Sequence, residues 1–201
     1  MKKNPFKPEL DNYWEIRYEI FSKFDEGIQV DEEGLFSAKP ETFSEEIACC
    51  MRGNLILDTF AGVGSSAIGL AKEGKRVISV DINKKRLEMA RNNACVYCVE
   101  NRIQFINEDA FTAIEKYNFD GIYIDPPWGG PGYKDIQDYL LERIKPNGNH
   151  ILSAALKKTS MVAISLPLNI NLNDLKKFNR DFEIKFHESR GIQRFVTVFF
   201  K

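Results

Sequence analysis

The sequence is poor in the residues and runs that several common arrangements need. It has four cysteines, two histidines and a formal net charge of -1 over 201 residues. No stretch of about 18 consecutive apolar residues occurs, so no membrane-spanning helix is expected. The first ten residues, MKKNPFKPEL, place no apolar segment after their basic residues, and no secretory signal is expected there. The cysteines fall as the neighbours Cys49 and Cys50 and the pair Cys95 and Cys98. A disulfide framework of an exported domain shows more of them at wider spacing, so a reduced, soluble, intracellular protein is expected. Cys95 and Cys98 have the spacing of half a zinc ligand set, yet no second such pair exists and neither His150 nor His187 is close in sequence. Two half-buried thiols at a helix end are therefore expected, and no metal is assigned. Neither histidine stands in a pattern with an acid and a nucleophile, so neither is given chemistry. Internal repeats, low-complexity tracts and domain-separating linkers are also missing.

With 43% hydrophobic side chains, the chain can bury one substantial core and is short for two. Residues 1–54 carry 7 basic and 12 acidic side chains, whereas residues 139–201 carry 11 basic and 5 acidic. The C-terminal third is thus the side that attracts phosphate. So mild an imbalance does not make the broad basic face that grips duplex nucleic acid, and a small anionic ligand or a short nucleic-acid end fits better. The Lys157/Lys158 and Lys176/Lys177 pairs read as solvated faces that could also track a nucleic-acid strand.

Residues 55–124 alternate between two kinds of segment. LILDTF, RVISVDI, RIQFIN and FDGIYID are rich in branched and aromatic residues, as buried parallel strands are. Between them, SSAIGLAKEG, KKRLEMARNNACVYCV and DAFTAIEKY place apolar residues at helical spacing, for example Leu87, Ala90, Ala94 and Cys98. Strand, helix, strand repeated in this way predicts an α/β fold with a parallel sheet and right-handed crossovers. Beyond it, the sequence predicts helices over 135–144 and 148–158, a strand in SMVAISL and two closing strands in DFEIKFHE and QRFVTVFF. Residues 1–54 lack the alternation and read as a small helical extension packed on a core domain of 55–201. Within it, Trp14, Tyr18 and Phe21 fall on one helix face capped by Asp11, where aromatic residues, Tyr13 included, are most simply core packing. A second helix is predicted after Pro40, from Glu41 to Met51.

The first strand runs into Asp58, Phe60, Ala61, Gly62 and Gly64, and a helix follows directly. A glycine-rich turn in that position lets backbone approach a ligand closely and offers helix N-terminal amides. An acid at its mouth suits an amino group better than a pyrophosphate. The second strand ends in Asp81, where an acid can take both hydroxyls of a ribose. The third ends in Asp109 and Ala110, beside the place for an adenine amino group. Three acids at the carboxyl ends of three successive strands, with no phosphate-binding lysine in the loop, favour S-adenosylmethionine over NAD or ATP. The competing reading has Asp81 and Asp109 capping the helices that follow them.

The fourth strand ends in DPPWGGPGY, residues 125–133. Proline has no amide hydrogen and a fixed backbone angle, so Pro126 and Pro127 hold carbonyl oxygens in a rigid rim. Asp125 with a fixed carbonyl can accept both hydrogens of an exocyclic amine and aim its lone pair, while Trp128 stacks on the base that carries the amine. An Asp, Asn or Ser followed by two prolines and an aromatic after such a sheet resembles the amino methyltransferases, which modify nitrogens of adenine, cytosine, guanine or glutamine.

The fuller string DPPWGGPGY is narrower. With YWEIRYEIFSKFDEGIQVDEEGLFSAKPE, LILDTFAGVGSSAIGLA, VISVDINKKRLEMARNNACVY and FINEDAF, it is similar to the trimethylguanosine synthases, the RNA cap guanosine-N2 methyltransferases. The resemblance runs from residue 11 to about residue 135 and more weakly beyond. It implies a Rossmann-like class I S-adenosylmethionine-dependent methyltransferase fold, with Phe36, Asp58, Phe60, Ala61, Gly62, Gly64, Asp81, Ile82, Asp109, Ala110 and Asp125 on the cofactor. It implies catalytic roles for Asp125, Pro126 and Trp128, with Trp128 stacked on 7-methylguanine. Tyr133 and Arg194 would meet the cap phosphates, and Phe21 would close the pocket. Further implications are a 7-methylguanosine-capped small nuclear or nucleolar RNA as substrate, a nuclear or nucleolar location and a monomer. Aspartate at 125 replaces a serine frequent in that family, and Asn12 and Leu168 replace basic residues, which implies fewer phosphate contacts. Methylation of a base within rRNA, tRNA or DNA is the alternative.

Overall fold

The computed structural model describes residues 3–201. Its elements in chain order are α1 (Asp11–Glu15), α2 (Arg17–Ile20), α3 (Glu32–Ser37), α4 (Glu41–Cys50), β1 (Leu55–Asp58), α5 (Ser65–Lys72), β2 (Arg76–Val80), α6 (Lys84–Val96), β3 (Ile103–Ile106), α7 (Ala110–Lys116), β4 (Gly121–Ile124), α8 (Gly148–Lys158), β5 (Met161–Leu166), α9 (Leu172–Lys176), β6 (Phe182–Ser189) and β7 (Ile192–Phe200). The strand order is β3-β2-β1-β4-β5-β7-β6. This is the α/β alternation that the sequence predicts, closed by an antiparallel hairpin. None of the described helices is long and apolar enough to cross a membrane.

The chain divides into two compact units, one holding the N-terminal segment to Cys50 with Ala61–Asp109, the other Met51–Phe60 with Ala110–Lys201. In the first, β2 and β3 pair in parallel with Val77 opposite Ile103, and α4 packs on α5. A Cβ on Gly69 would run into the side chain and backbone of Ser44, so the two helices approach as closely as glycine allows. On α6, Leu87, Ala90, Asn93 and Ala94 form the buried face. In the second unit, β1, β4 and β5 pair in parallel through Ile56 opposite Gly121 and Gly121 opposite Met161. Every residue of β4 and β5 is buried, which is why these segments read as unbroken apolar runs. The hairpin β6–β7 adds antiparallel pairs, with Ser165 opposite Thr197 and Phe182 opposite Phe200.

Three local expectations are corrected. The helix predicted over 135–144 does not form: two single turns, Pro131–Asp135 and Leu141–Arg143, stand there instead. The backbone of Tyr139 is engaged elsewhere, its amide on the Asn169 oxygen at 2.8 Å and its oxygen on the Asn171 amide at 2.9 Å. The single aromatic helix face of residues 14–21 is broken at Ile16, because the Arg17 guanidinium takes the Trp14 carbonyl at 2.7 Å. Asp11 is the first residue of α1 and not its N-cap, which is Leu10, Phe21 leaves the helix in an extended conformation, and Tyr18 is 44% exposed rather than core. Cys95 and Cys98 are exposed, not half-buried. Cys98 has φ +57 and follows α6 in a Schellman turn, with Val99 donating to Ala94 and Cys98 to Cys95.

Candidate active site

In the first unit, the glycine-rich turn is built on positive φ at Gly62 (+50) and Gly64 (+93). The Ala61 amide donates to Val80 at 2.9 Å and the Gly64 amide to Ala61 at 2.8 Å, which locks the turn beside the end of β2. A Cβ on Gly64 would lie 3.0 Å from that of Ala90, so α6 packs directly against the turn. The half-buried Asp81 receives the Gly62 amide at 2.8 Å on one carboxylate oxygen and the Asn83 amide at 2.7 Å on the other. The cap of α6 is Asn83, which accepts from Lys85 and Arg86; Asp81 is therefore not that helix's cap. Beside it, Ile82 is 76% exposed, an apolar side chain with no cover of its own. Asp109 is exposed and Phe36 half-buried, its ring 5.1 Å from Tyr13. Phe21 is 1% exposed, its ring 6.3 Å from Tyr97.

Two asparagines not singled out in the sequence hold this arrangement. Asn93, fully buried, donates to Val63 in the turn at 2.9 Å and exchanges hydrogen bonds with the Gln29 backbone at 2.7 and 2.8 Å. Asn107 donates to the carbonyls of Asp81 and Ile82 at 2.8 and 3.0 Å. A buried amide that satisfies three backbone groups fixes their relative positions, since each would otherwise be stranded without water.

In the second unit, β1 ends in Asp58, which is fully buried, and Thr59, whose amide and hydroxyl both donate to Tyr123 at 3.2 Å. Phe60 is half-buried and Ala110 buried. β4 delivers Asp125 half-buried, Pro126 buried, Pro127 exposed and Trp128 half-buried. The Trp128 indole donates to the Ser165 carbonyl at 3.2 Å. Tyr133 meets it edge-on, ring centres 5.2 Å apart at 86°, and Phe195 lies 6.3 Å away. Behind them a chain of buried polar side chains crosses four strands: Tyr123 to Ser165 at 2.7 Å, Ser165 to Thr197 at 3.3 Å, Thr197 to His187 at 2.9 Å. His187, which the sequence reading left without a role, stacks on Phe195 at 4.4 Å and 20°. The exposed Arg194 occupies a β-bulge: His187 lies opposite Phe195 and Glu188 opposite Gln193, leaving Arg194 with no counterpart on β6.

The chemistry on offer is acceptors for ligand hydroxyl and amino groups at Asp81 and Asp109, and at Asp125 a carboxylate next to an aromatic corner. A family model for RNA cap guanine-N2 methyltransferases matches residues 53–197. The trimethylguanosine synthase of Schizosaccharomyces pombe is 32% identical over 185 residues, which are 87% of this chain and 77% of that protein. The trimethylguanosine synthase of Saccharomyces cerevisiae is 32% identical over 186 residues, 85% of this chain and 58% of its own length. Among solved structures, a Porphyromonas gingivalis W83 protein described as a methyltransferase aligns with a TM-score of 0.70 at 16% identity, over 100% of this chain and 52% of that one. That likeness is of fold, and the fold is that of Rossmann-like methyltransferases.

Proposed function

Because the chain belongs to the RNA cap guanine-N2 methyltransferase family, we propose that it moves methyl groups from S-adenosylmethionine to N2 of 7-methylguanosine caps, giving 2,7-dimethyl and then 2,2,7-trimethyl products. The observation that carries this reading is the DPPW segment at the end of β4, with Trp128 half-buried beside Tyr133 and its indole nitrogen tied to Ser165. An aromatic face suits 7-methylguanine in particular, because the positive charge of that base is drawn to the ring's negative face.

The residues present fit an adenosyl group. Asp81 is oriented by two backbone amides at 2.8 and 2.7 Å, and the neighbouring Ile82 offers an uncovered apolar surface. The bound donor supplies an electrophilic methyl on a sulfonium. Asp81 would hold the ribose hydroxyls, Asp109 the adenine amino group, Asp58 the amino group of the methionine part, and the Gly62 to Gly64 turn would allow close backbone approach. Phe36, Phe60, Ala61 and Ala110 would complete the lining. At the base, Asp125 and the Pro126 carbonyl would accept the two N2 hydrogens, so the nitrogen lone pair points at the methyl carbon. The proton released from N2 passes to Asp125 or to water. Positioning supplies most of the acceleration in such a displacement. Phe21 would close the pocket, and Tyr133 and Arg194 would meet the cap phosphates.

As part of the same proposal we take its substrates to be small nuclear or nucleolar RNAs, its location to be nuclear or nucleolar, and the enzyme to act as a monomer. The test is mass analysis of 7-methylguanosine diphosphate and guanosine diphosphate after incubation with purified protein and S-adenosylmethionine. Gain of one or two methyl masses on the former alone is the expected result. No gain on either, with cofactor binding confirmed, would overturn the reading in favour of a base within a longer RNA.

A further inference from the structure

From Trp128 to Tyr139 the chain's regular structure is limited to the turn Pro131–Asp135. Gly129 and Gly130 have φ +89 and +76, and a Cβ on either would meet nothing within 4 Å. Local backbone geometry at the two glycines therefore does little to fix where Trp128 points, although its indole is tied to Ser165. Two further side chains hold the backbone that carries Trp128 and Tyr133. The Tyr139 hydroxyl donates to the Trp128 carbonyl at 2.9 Å. The Asn169 amide donates to the Tyr133 carbonyl at 2.9 Å and to the Ile136 carbonyl at 2.5 Å. Both are themselves anchored: Tyr139 is fully buried and bridges to Ile170, and its amide donates to Asn169. Burial raises the Tyr139 hydroxyl above its ordinary value of 10.0, so it stays a donor at neutral pH.

We propose that Tyr139 and Asn169 are positioning residues for the substrate, holding Trp128 for the base and Tyr133 for the cap phosphates as a preset aromatic corner, so that the loop need not first be ordered. A loop fixed before binding loses less conformational freedom when the ligand arrives. The inference rests on the reading of Trp128 as the base-stacking residue, so its test includes a readout that needs no substrate.

The chain has two tryptophans, Trp14 and Trp128, and their indole N–H signals can be followed separately by nitrogen-labelled NMR. In Tyr139→Phe, which removes only the hydroxyl, the Trp128 indole proton is expected to exchange with water about tenfold faster while that of Trp14 is unchanged. The KM for 7-methylguanosine diphosphate should rise about tenfold, with kcat and the affinity for S-adenosylmethionine within about twofold of wild type. Asn169→Ala should move the same quantities in the same direction; it breaks different bonds to the same loop, so a folding failure in one variant leaves the other decisive. Unchanged indole exchange in both variants overturns the proposal whether or not the cap analogue is a substrate. Equal weakening of both ligands also overturns it, because that is what a merely structural role does. Faster exchange in a protein whose wild type does not act on the analogue would support the clamp and defeat the functional reading instead.

Discussion

The phenol of Tyr97 donates to a carboxylate oxygen of Glu41 at 2.7 Å. Glu41 also accepts the Ser22 amide at 2.9 Å and pairs with Lys72, which pairs in turn with Glu45. Burial pushes the Glu41 carboxyl up, but donation from Lys72, Ser22 and Tyr97 outweighs it and holds the group at about 2 instead of 4.5. Burial, reinforced by the Glu41 charge, pushes Tyr97 up to about 12. The stabilisation from Glu41 is therefore complete above pH 4.5 and lost as pH falls toward 2, and that from Tyr97 is complete below pH 10 and lost as pH rises toward 12. In urea titrations, Glu41→Gln should be less stable than wild type by on the order of 2 kcal/mol at pH 7, a gap that closes in strong acid. A gap that does not change with pH would refute the assignment.

Trp128→Ala should lower kcat/KM on 7-methylguanosine diphosphate by about a hundredfold or more, with calorimetric affinity for S-adenosylmethionine within about twofold of wild type. Trp128→Phe, which keeps a smaller ring, should fall between. If both ligands weaken equally, the ring is supporting the fold and not the base.

Gly64 has φ +93 and Ala90 atoms 3.0 and 3.1 Å from its would-be Cβ. Gly64→Ala should cost about 1–3 kcal/mol of stability through strain and overpacking together. Because the turn must shift to relieve that strain, calorimetry should also show S-adenosylmethionine binding at least about tenfold weaker. Unchanged binding would place the cofactor away from this turn.

Arg17 is 3% exposed, its guanidinium carbon 4.5 Å from the Trp14 ring centre and 4.2 Å from that of Tyr18. It donates to the Trp14 carbonyl at 2.7 Å and to the Tyr18 hydroxyl at 3.0 Å. Lysine keeps the charge but loses the planar fork and the stacking. Arg17→Lys is expected to lose about 2 kcal/mol, read in a thermal melt as a fall of about 4–8 °C. A melt within a degree of wild type would show that charge alone suffices.

At Cys98, with φ +57 at the end of α6, glycine is the residue that the backbone favours. Cys98→Gly should raise stability by about 0.5–1 kcal/mol, measured from the denaturant midpoint at constant slope. Destabilisation would mean that the cysteine side chain makes a contact worth more than the backbone strain.

β4 and β5 were legible because they are buried on both faces: GIYI and MVAISL are short apolar runs with branched residues between turn signals. The positions of Asp58, Asp81 and Trp128 at strand ends were legible for the same reason, since they follow from where each strand stops. What could not be read was long-range. Asn93 reaches back to Gln29 and Val63, Asn169 to Tyr133 and Ile136, and His187 forward to Thr197; an isolated polar residue carries no mark of a partner that distant. The two helix errors have the same origin. At Tyr139 a backbone group, and at Trp14 a carbonyl, is claimed by a tertiary partner that local spacing does not reveal.

The bulge at Arg194 has a consequence for how the sequence can change. From Val196 to Phe200, β7 is pinned on both sides, by β5 and by β6, and Phe195 is held by His187 of β6. Beyond the bulge only the hairpin tip, residues 188–193, remains, and its register is already offset by one. A residue gained or lost in that tip can be absorbed at the bulge, which alters the reach of Arg194 without turning Phe195 or Thr197 to the other face. The tip is thus where this chain can gain or lose a residue at least cost, leaving Trp128 and the rings beside it as they are.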